Sequence, residues 1–381
     1  MKKFFVVSAS LLVVTLLFLG VYYFLFKNNP NDPTVDATLN AETKDATDQT
    51  FNDTQTQAPL EPVSETPVFG ASIVGDNRIG FFRDGALRQF SFGGGGEEIL
   101  IPDLPGKMLQ VRWSPDKRKA LTLLGNNNGQ RWYFIDLDAK SIKPLKDGIS
   151  GPAWSNLSEK IFYFFRDEKG RISINTAKPD GTEWSEIAVA PPVLNPFSQM
   201  IPGSTSLSFW SRPAAFEESS LYTVPVVGGT PEKIFGGKYG ANFLWSPDGN
   251  KLLITNTIGK GGSDVRLGVA NQKGGEFHTL QVPTLISKTV WSKDGKTVYY
   301  ALPLSLPQNA VLPDDYFSKS LATTDSFWKL DTDTGKSSRV ILPENISGNF
   351  DSIDLFLDPD ENTLYFTNRT DNKLYRIHLI K

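Results

Sequence analysis

The chain has 381 residues, of which 39% are apolar and 21% are charged, proportions typical of a globular protein rather than of a disordered or polytopic membrane chain. It contains no cysteine and two histidines, which excludes disulfides, thiolate metal sites and a cysteine nucleophile and disfavours a multi-histidine metal site. Residues 1–27 carry +3 and residues 28–67 carry −7, which leaves +1 of the total of −3 for the rest. This nearly neutral remainder gives no reason to expect nucleic acid as a partner.

The N-terminal segment is strongly apolar. Residues 4–26 contain no charged side chain, and as a helix they would extend about 34 Å, enough to cross a bilayer. The segment ends in bulky residues instead of a small-residue cleavage site, which favours an uncleaved anchor over a signal peptide. Lys2 and Lys3 precede it, so the positive-inside rule places the N-terminus in the cytoplasm and everything after residue 27 outside. We therefore predict a single-pass cell-membrane protein in which residues 1–27 form the cytoplasmic N-terminus and the transmembrane anchor.

The next segment, residues 28–67, is rich in Asn, Asp, Thr, Gln and Pro, and it contains eight carboxylates. Such a composition buries too little apolar surface to offset the entropy of ordering the chain. We predict a flexible acidic linker here, followed by one folded domain over residues 68–381.

A repeated pattern runs through the predicted domain. Each copy places a Trp or another core residue before a polar turn, often Ser-Pro-Asp-Gly, and a run of strand-forming residues follows. The turn residues favour a tight hairpin. Clear copies are centred on Trp113, Trp154, Trp245 and Trp291, and weaker ones lie at Ser72, Phe197 and Leu357.

Successive copies are 41, 41, 43, 48, 46 and 66 residues apart. A period in the forties is typical of β-propeller blades, each of four antiparallel strands. We therefore predict an all-β propeller of about seven four-stranded blades, with six as the alternative, and we expect the four Trp side chains to form core between blades. The last repeat has three predicted strands, and residues 60–66 are a poor candidate for the fourth because they contain proline.

The Trp-Ser-Pro-Asp-Gly hairpins resemble those of TolB-type, WD-repeat-like β-propellers of the bacterial cell envelope, over residues 68–381. The TolB type itself has six blades. The resemblance implies the fold and no single function, because similar blades serve as scaffolds, binding proteins and accessory domains of peptidases.

Catalytic patterns are weak. His278 and His378 lie in strand-like runs, and residues 331–335 partly match a calcium loop but fit a hairpin turn better. Adjacent loop acids such as Glu217 and Glu218 are usually solvated. We predict no catalytic, cofactor or metal site and favour a binding or scaffold module for protein or envelope ligands, with two alternatives: a hydrolase or lyase that uses carboxylates in the central funnel, and a purely structural spacer.

Two predicted loops between second and third strands are long, at residues 212–220 and 303–326. Long loops in compact domains are often functional. These loops could form a partner-binding rim or merely cover an exposed blade edge. The candidate rim residues are Arg212, Phe216, Asp315, Tyr316 and Phe317.

Overall fold

The structure, a computed structural model, describes residues 60–75 and 77–379. The predicted anchor, residues 1–27, and most of the predicted linker lie outside the described residues. Within these two ranges, no helix is long and apolar enough to cross a membrane. The helical elements there are short turns at Ile286–Lys288, Asp314–Phe317 and Pro343–Asn345.

Strands dominate the described part of the chain, and within each sheet every strand except the first of the chain pairs antiparallel with a strand adjacent in sequence. The first three four-stranded sheets take the chain in order. Blade one consists of β2 (Phe69–Val74), β3 (Arg78–Arg83), β4 (Ala86–Ser91) and β5 (Glu98–Ile101). Blade two consists of β6 (Lys107–Trp113), β7 (Lys119–Asn126), β8 (Gly129–Asp136) and β9 (Ser141–Pro144). Blade three consists of β10 (Ile149–Trp154), β11 (Ile161–Arg166), β12 (Ile172–Ala177) and β13 (Ser185–Val189).

Blades four and five share one long strand, β17 (Glu232–Trp245). Its first half pairs with β16 and its second half with β18, so the seven-stranded sheet is two four-stranded blades joined end to end. The other strands of blade four are β14 (Phe197–Met200), β15 (Ser206–Trp210) and β16 (Glu218–Pro225). Those of blade five are β18 (Lys251–Thr257), β19 (Val265–Asn271) and β20 (His278–Thr279).

The last two blades complete a set of seven in the described part of the chain, the number that the sequence repeat predicts. Blade six consists of β21 (Thr289–Trp291), β22 (Thr297–Pro303), β23 (Asp325–Asp331) and β24 (Ser337–Arg339). Blade seven consists of β25 (Ser352–Leu357), β26 (Thr363–Asn368), β27 (Leu374–His378) and an N-terminal strand, β1 (Glu61–Pro62). Residues 331–335 form the turn between β23 and β24, as predicted.

The N-terminal strand corrects the sequence analysis, which rejected residues 60–66 as the fourth strand of blade seven. Glu61 and Pro62 pair with Arg376 and Tyr375 of β27, and Val63 is buried. Pro62 is tolerated because β1 is the outermost strand, where its missing N–H has no partner to lose. The folded domain therefore begins by residue 60 rather than at residue 68.

Among residues 60–75 and 77–379, seven apolar clusters lie between neighbouring blades, one for each adjacent pair. One of them joins Tyr365 and Leu374 of blade seven to Phe81 and Phe90 of blade one. The first strands of these two blades, β25 and β2, are also in contact. The blades thus close into a ring, with the first strands innermost.

The repeated Trp side chains connect the blades, as expected of core residues. Trp154, Trp245 and Trp291 are buried, and Trp113 is partly buried. Each indole N–H donates to an oxygen of the preceding blade. The Trp that precedes each hairpin turn therefore also links its blade to the preceding one. The acceptors are Gly70 O at 2.9 Å for Trp113, Arg112 O at 2.7 Å for Trp154, Ser208 Oγ at 2.8 Å for Trp245 and Leu244 O at 3.4 Å for Trp291.

Candidate binding face

One end of the ring carries the loops between second and third strands together with the connections between blades, because successive strands run antiparallel. We call this end the loop face. The loops of blades four and six are enlarged there, as the sequence indicates, and the loop of blade five lies between them. The three loops comprise residues 211–217, 258–264 and 304–324.

Backbone N–H donors join the three loops to one another. Ala215 N donates to Asp314 Oδ2 at 2.9 Å, which ties the blade-four loop to the blade-six loop. Gly261 N donates to Ala215 O at 2.9 Å, and Leu312 N donates to Gly262 O at 3.0 Å, so the blade-five loop bridges the other two. We call the resulting continuous surface the three-loop crest.

Three of the predicted rim residues lie at the surface of this crest. The guanidinium carbon of Arg212 lies 5.0 Å from the ring centroid of Phe317, a cation–π contact between loops of two different blades. Arg212 is exposed and Phe317 half-buried, while Phe216 is 56% exposed. The crest therefore presents an Arg and two aromatic rings.

The other two predicted rim residues serve the loop itself. Tyr316 is 5% exposed, so it cannot supply contact area to a partner, and that expectation is corrected: Tyr316 and Leu312 pack with Val265 and Leu285 beneath the crest. The carboxylate of Asp315 accepts from Val311 N at 2.7 Å, an internal bond that shapes the loop. The blade-six loop thus covers the fold with one side and forms surface with the other.

A network of buried charges lies under the blade-six loop. The Lys288 side chain, at the start of blade six, is 0% exposed, and Nζ lies 2.7 Å from Asp325 Oδ2 and 2.8 Å from Asp351 Oδ1. Arg369 Nη1 lies 3.4 Å from Asp351 Oδ2. The Tyr316 hydroxyl donates to Asp351 Oδ1 at 2.5 Å. Two cations and two carboxylates thus balance in charge and join blade six, blade seven and the loop.

The surroundings shift the pKa values of Asp325 and Asp351 in opposite directions. Burial raises the pKa of Asp325, more than the nearby Lys288 charge lowers it. Burial also acts to raise the pKa of Asp351, but the charge of Lys288 and the hydrogen bonds from Lys288, Tyr316 and Thr323 outweigh it and leave that pKa below its ordinary value. Burial and the Asp351 charge raise the pKa of Tyr316, so its phenol remains a donor.

The sequence analysis does not predict this network. Lys288, Asp325 and Asp351 are separated by tens of residues, and no local motif links them. The one available signal is positional, since Lys288 and Asp351 directly precede the first strands of consecutive blades and first strands are neighbours in a ring.

Apolar surface is a second property of the loop face. Between blades one and two a cavity of about 380 Å³ is lined by Phe69, Phe82, Leu104 and Met108 together with the short loop at residues 83–86. Exposed large apolar side chains also lie at this end of the ring. They are Phe69, Leu109, Leu194, Phe216, Ile258 and Leu304. At the opposite end the corresponding side chains are Leu157, Trp184 and Val227.

No protein-family model matches the chain, and no curated protein matches it. Solved structures do match. A structure of oligogalacturonate lyase from Vibrio parahaemolyticus is 12% identical, with a TM-score of 0.60 over 86% of this chain and 96% of that chain. The β-propeller domain of the Trilobed protease from Pyrococcus furiosus is 14% identical, with a TM-score of 0.52 over 82% and 96%.

The fold is a β-propeller. A structure of TolB from Acinetobacter baumannii is also similar, at 14% identity and a TM-score of 0.46, and the match covers 73% of this chain. It covers 61% of the TolB chain, and this score adds nothing to the fold assignment. At such identities the likeness concerns fold alone and carries no activity or partner from these proteins to this one.

Proposed function

We propose that the chain is a membrane-tethered, extracytoplasmic propeller that acts as a binding or scaffold module of the cell envelope, with the three-loop crest as its docking surface for a protein partner. The observation that carries the proposal is the arrangement of Arg212, Phe216 and Phe317 at the surface of the crest. Aromatic residues and Arg dominate the energetic centres of protein interfaces.

The contacts beneath the crest also favour a docking role, because they order the blade-six loop. Ordering a loop of about twenty residues opposes folding by its lost conformational entropy, yet the blade-six loop is fixed by the bond of Tyr316 to Asp351 and by the bond of Asp314 to the blade-four loop. A surface that is already ordered loses less entropy on binding. The crest is therefore preorganised for recognition.

The proposed location of the propeller outside the cytoplasm is inferred from the sequence. The uncharged segment at residues 4–26 and the lysines before it support an anchor with the propeller outside the cytoplasm. The 12% identity with oligogalacturonate lyase concerns the fold, so it does not favour the enzyme hypothesis over binding.

Site-specific photocrosslinking in cells tests the proposal. A photoreactive phenylalanine analogue is placed in the full-length chain at Phe216 or Phe317 of the crest, and at Val227 or Leu157 of the opposite face as matched controls. Val227 is 91% and Leu157 75% exposed, so both controls are at least as accessible as Phe216.

The proposal predicts one discrete protein adduct shared by the two crest positions and missing from both controls. Equal adducts from the two faces, or none from the crest, would contradict it. An adduct that resists protease and is degraded with the envelope polymer would also contradict a protein partner.

A further inference from the structure

The innermost strands of four blades contain the same irregularity, a bulge that leaves two consecutive residues unpaired. The first of the two has positive φ in every case, the usual geometry of a bulge residue in the left-handed region. These residues are Gly70 in blade one (φ 61°), Gly151 in blade three (φ 51°), Gly240 in blade five (φ 58°) and Asp354 in blade seven (φ 52°).

The three glycines have a steric reason. A Cβ atom at Gly70 would lie 2.4 Å from Val111 Cγ1, and one at Gly151 would lie 2.3 Å from Pro196 O. Val111 lies in blade two, which follows the blade of Gly70, and Pro196 lies in the connection from blade three to blade four. A side chain is thus excluded at these bulges, and glycine also adopts positive φ without strain.

Asp354 breaks this pattern. It carries a side chain where the other three bulges have none, and among the described residues it is the one non-glycine residue of positive φ that lies within a strand. Asp tolerates the left-handed region better than most residues but less well than Gly. Strained positions of this kind are concentrated at functional sites.

The Asp354 side chain is exposed to solvent although it lies on an innermost strand. Because β25 is the innermost strand of blade seven, we infer that this exposed side chain borders the central channel. The surrounding protein raises the pKa of its carboxyl. Within residues 60–75 and 77–379, this carboxylate has no hydrogen-bond or ion-pair partner; Arg112 acts on it electrostatically without direct contact.

Arg112 is the complementary group, on the innermost strand of blade two. It is half-buried, its Nε is buried without a hydrogen-bond partner in the described part of the chain, and its guanidinium carbon lies 5.9 Å from the ring centroid of Phe197 in blade four. Asp354, Arg112 and Phe197 thus belong to the innermost strands of blades seven, two and four, which border the centre of the ring.

We propose that the channel binds a small zwitterionic ligand, with an anionic carboxylate held by the Arg112 guanidinium over the Phe197 ring and an ammonium group held by Asp354. A guanidinium pairs with carboxylate through parallel N–H donors. This site is separate from the three-loop crest, so it does not depend on the proposed function.

A series of ω-amino acids of increasing length tests the site: glycine, β-alanine, γ-aminobutyrate and ε-aminocaproate. Binding to the full-length chain in detergent is followed by the rise in Tm and by the nuclear magnetic resonance of the Arg112 Nε–H group. Butyrate and butylamine, which carry one charge each, are the probe controls. The variants are Asp354→Asn, Asp354→Gly and Arg112→Gln.

We expect one member of the series to give a saturable rise in Tm and a shift of the Arg112 resonance, with loss of both in Asp354→Asn and of the Tm response in Arg112→Gln. Asp354→Gly should raise the Tm of the unliganded chain, because it restores the residue of the other three bulges, and should still abolish binding. Three outcomes would overturn the proposal: no response to any length, an equal response to butyrate, or a response that survives in Asp354→Asn.

Discussion

Replacement of Lys288 by methionine removes the ammonium at the centre of the buried network and keeps a side chain of similar length. Nζ lies 2.7 Å from Asp325, 2.8 Å from Asp351 and 3.1 Å from Ser352 O. After the change, two buried carboxylates remain with Arg369 as their one cation in the network, 3.4 Å from Asp351. At least one negative charge is then buried without compensation.

The magnitude follows from the burial of these groups. Breaking a fully buried ion pair costs about 3–5 kcal/mol, because the remaining charge keeps its desolvation penalty. Domains are stable by roughly 5–15 kcal/mol, so the loss is a large share of the total. Lys251 is the matched control: its side chain is 23% exposed and its partner Asp333 is 47% exposed, and such pairs contribute about 0–1 kcal/mol.

Urea denaturation of the full-length chain, followed by Trp fluorescence, measures both variants. We expect Lys288→Met to lower the free energy of unfolding by about 3–5 kcal/mol and Lys251→Met by about 1 kcal/mol or less. Adding Asp325→Asn to Lys288→Met removes one uncompensated charge and should recover part of the loss. Equal stability of the two single variants would refute this account of the network.

Three further predictions concern the same domain. Tyr316→Phe deletes the hydrogen bond to Asp351 and should lower the free energy of unfolding by about 1.5–3 kcal/mol in the same assay; an unchanged value would contradict the geometry. Burial raises the pKa of six described tyrosines, that of Tyr375 to about 12, so the fold holds their protons more tightly than the unfolded chain does. The contribution of these six tyrosines to stability should be constant below pH about 10 and fall above it, and the absorbance of their phenolates should rise together with unfolding rather than before it. A chain that begins at residue 58 should keep the full-length Tm, whereas one that begins at residue 68 lacks β1 and should melt lower; equal Tm values would show that β1 does not stabilise the ring.

The fold could be predicted because each blade repeats a local signal. The turn after Trp245, for example, is specified by Ser246, Pro247, Asp248 and Gly249, and the Ser246 hydroxyl donates to Asp248 Oδ1 at 2.5 Å. Contacts of this kind form within a few residues, so the sequence pattern contains them directly.

Closure of the ring and the contacts beneath the crest depend on residues far apart in the chain. Glu61 pairs with Arg376 across 315 positions, and a proline beside it argues against a strand unless the strand is known to be outermost. Tyr316 looks like a loop aromatic in the sequence, and its burial follows from packing against Val265 and Leu285 and from its bond to Asp351, contacts with residues far away in the chain. The channel position of Asp354 likewise follows from the strand pairing and from no local motif.

The docking role of the three-loop crest is tested most directly by the affinity of the captured partner for two double variants, each with its Tm. Phe216→Ala with Phe317→Ala alters the crest, and Leu157→Ala with Val227→Ala alters the opposite face to a comparable extent. Truncating residues at the centre of an interface costs about 2 kcal/mol or more of binding free energy. We predict that loss for the crest variant, with a Tm close to that of the unmodified chain, and unchanged affinity for the control. A crest variant that binds normally but melts earlier would show that these loops cover the fold and do not bind.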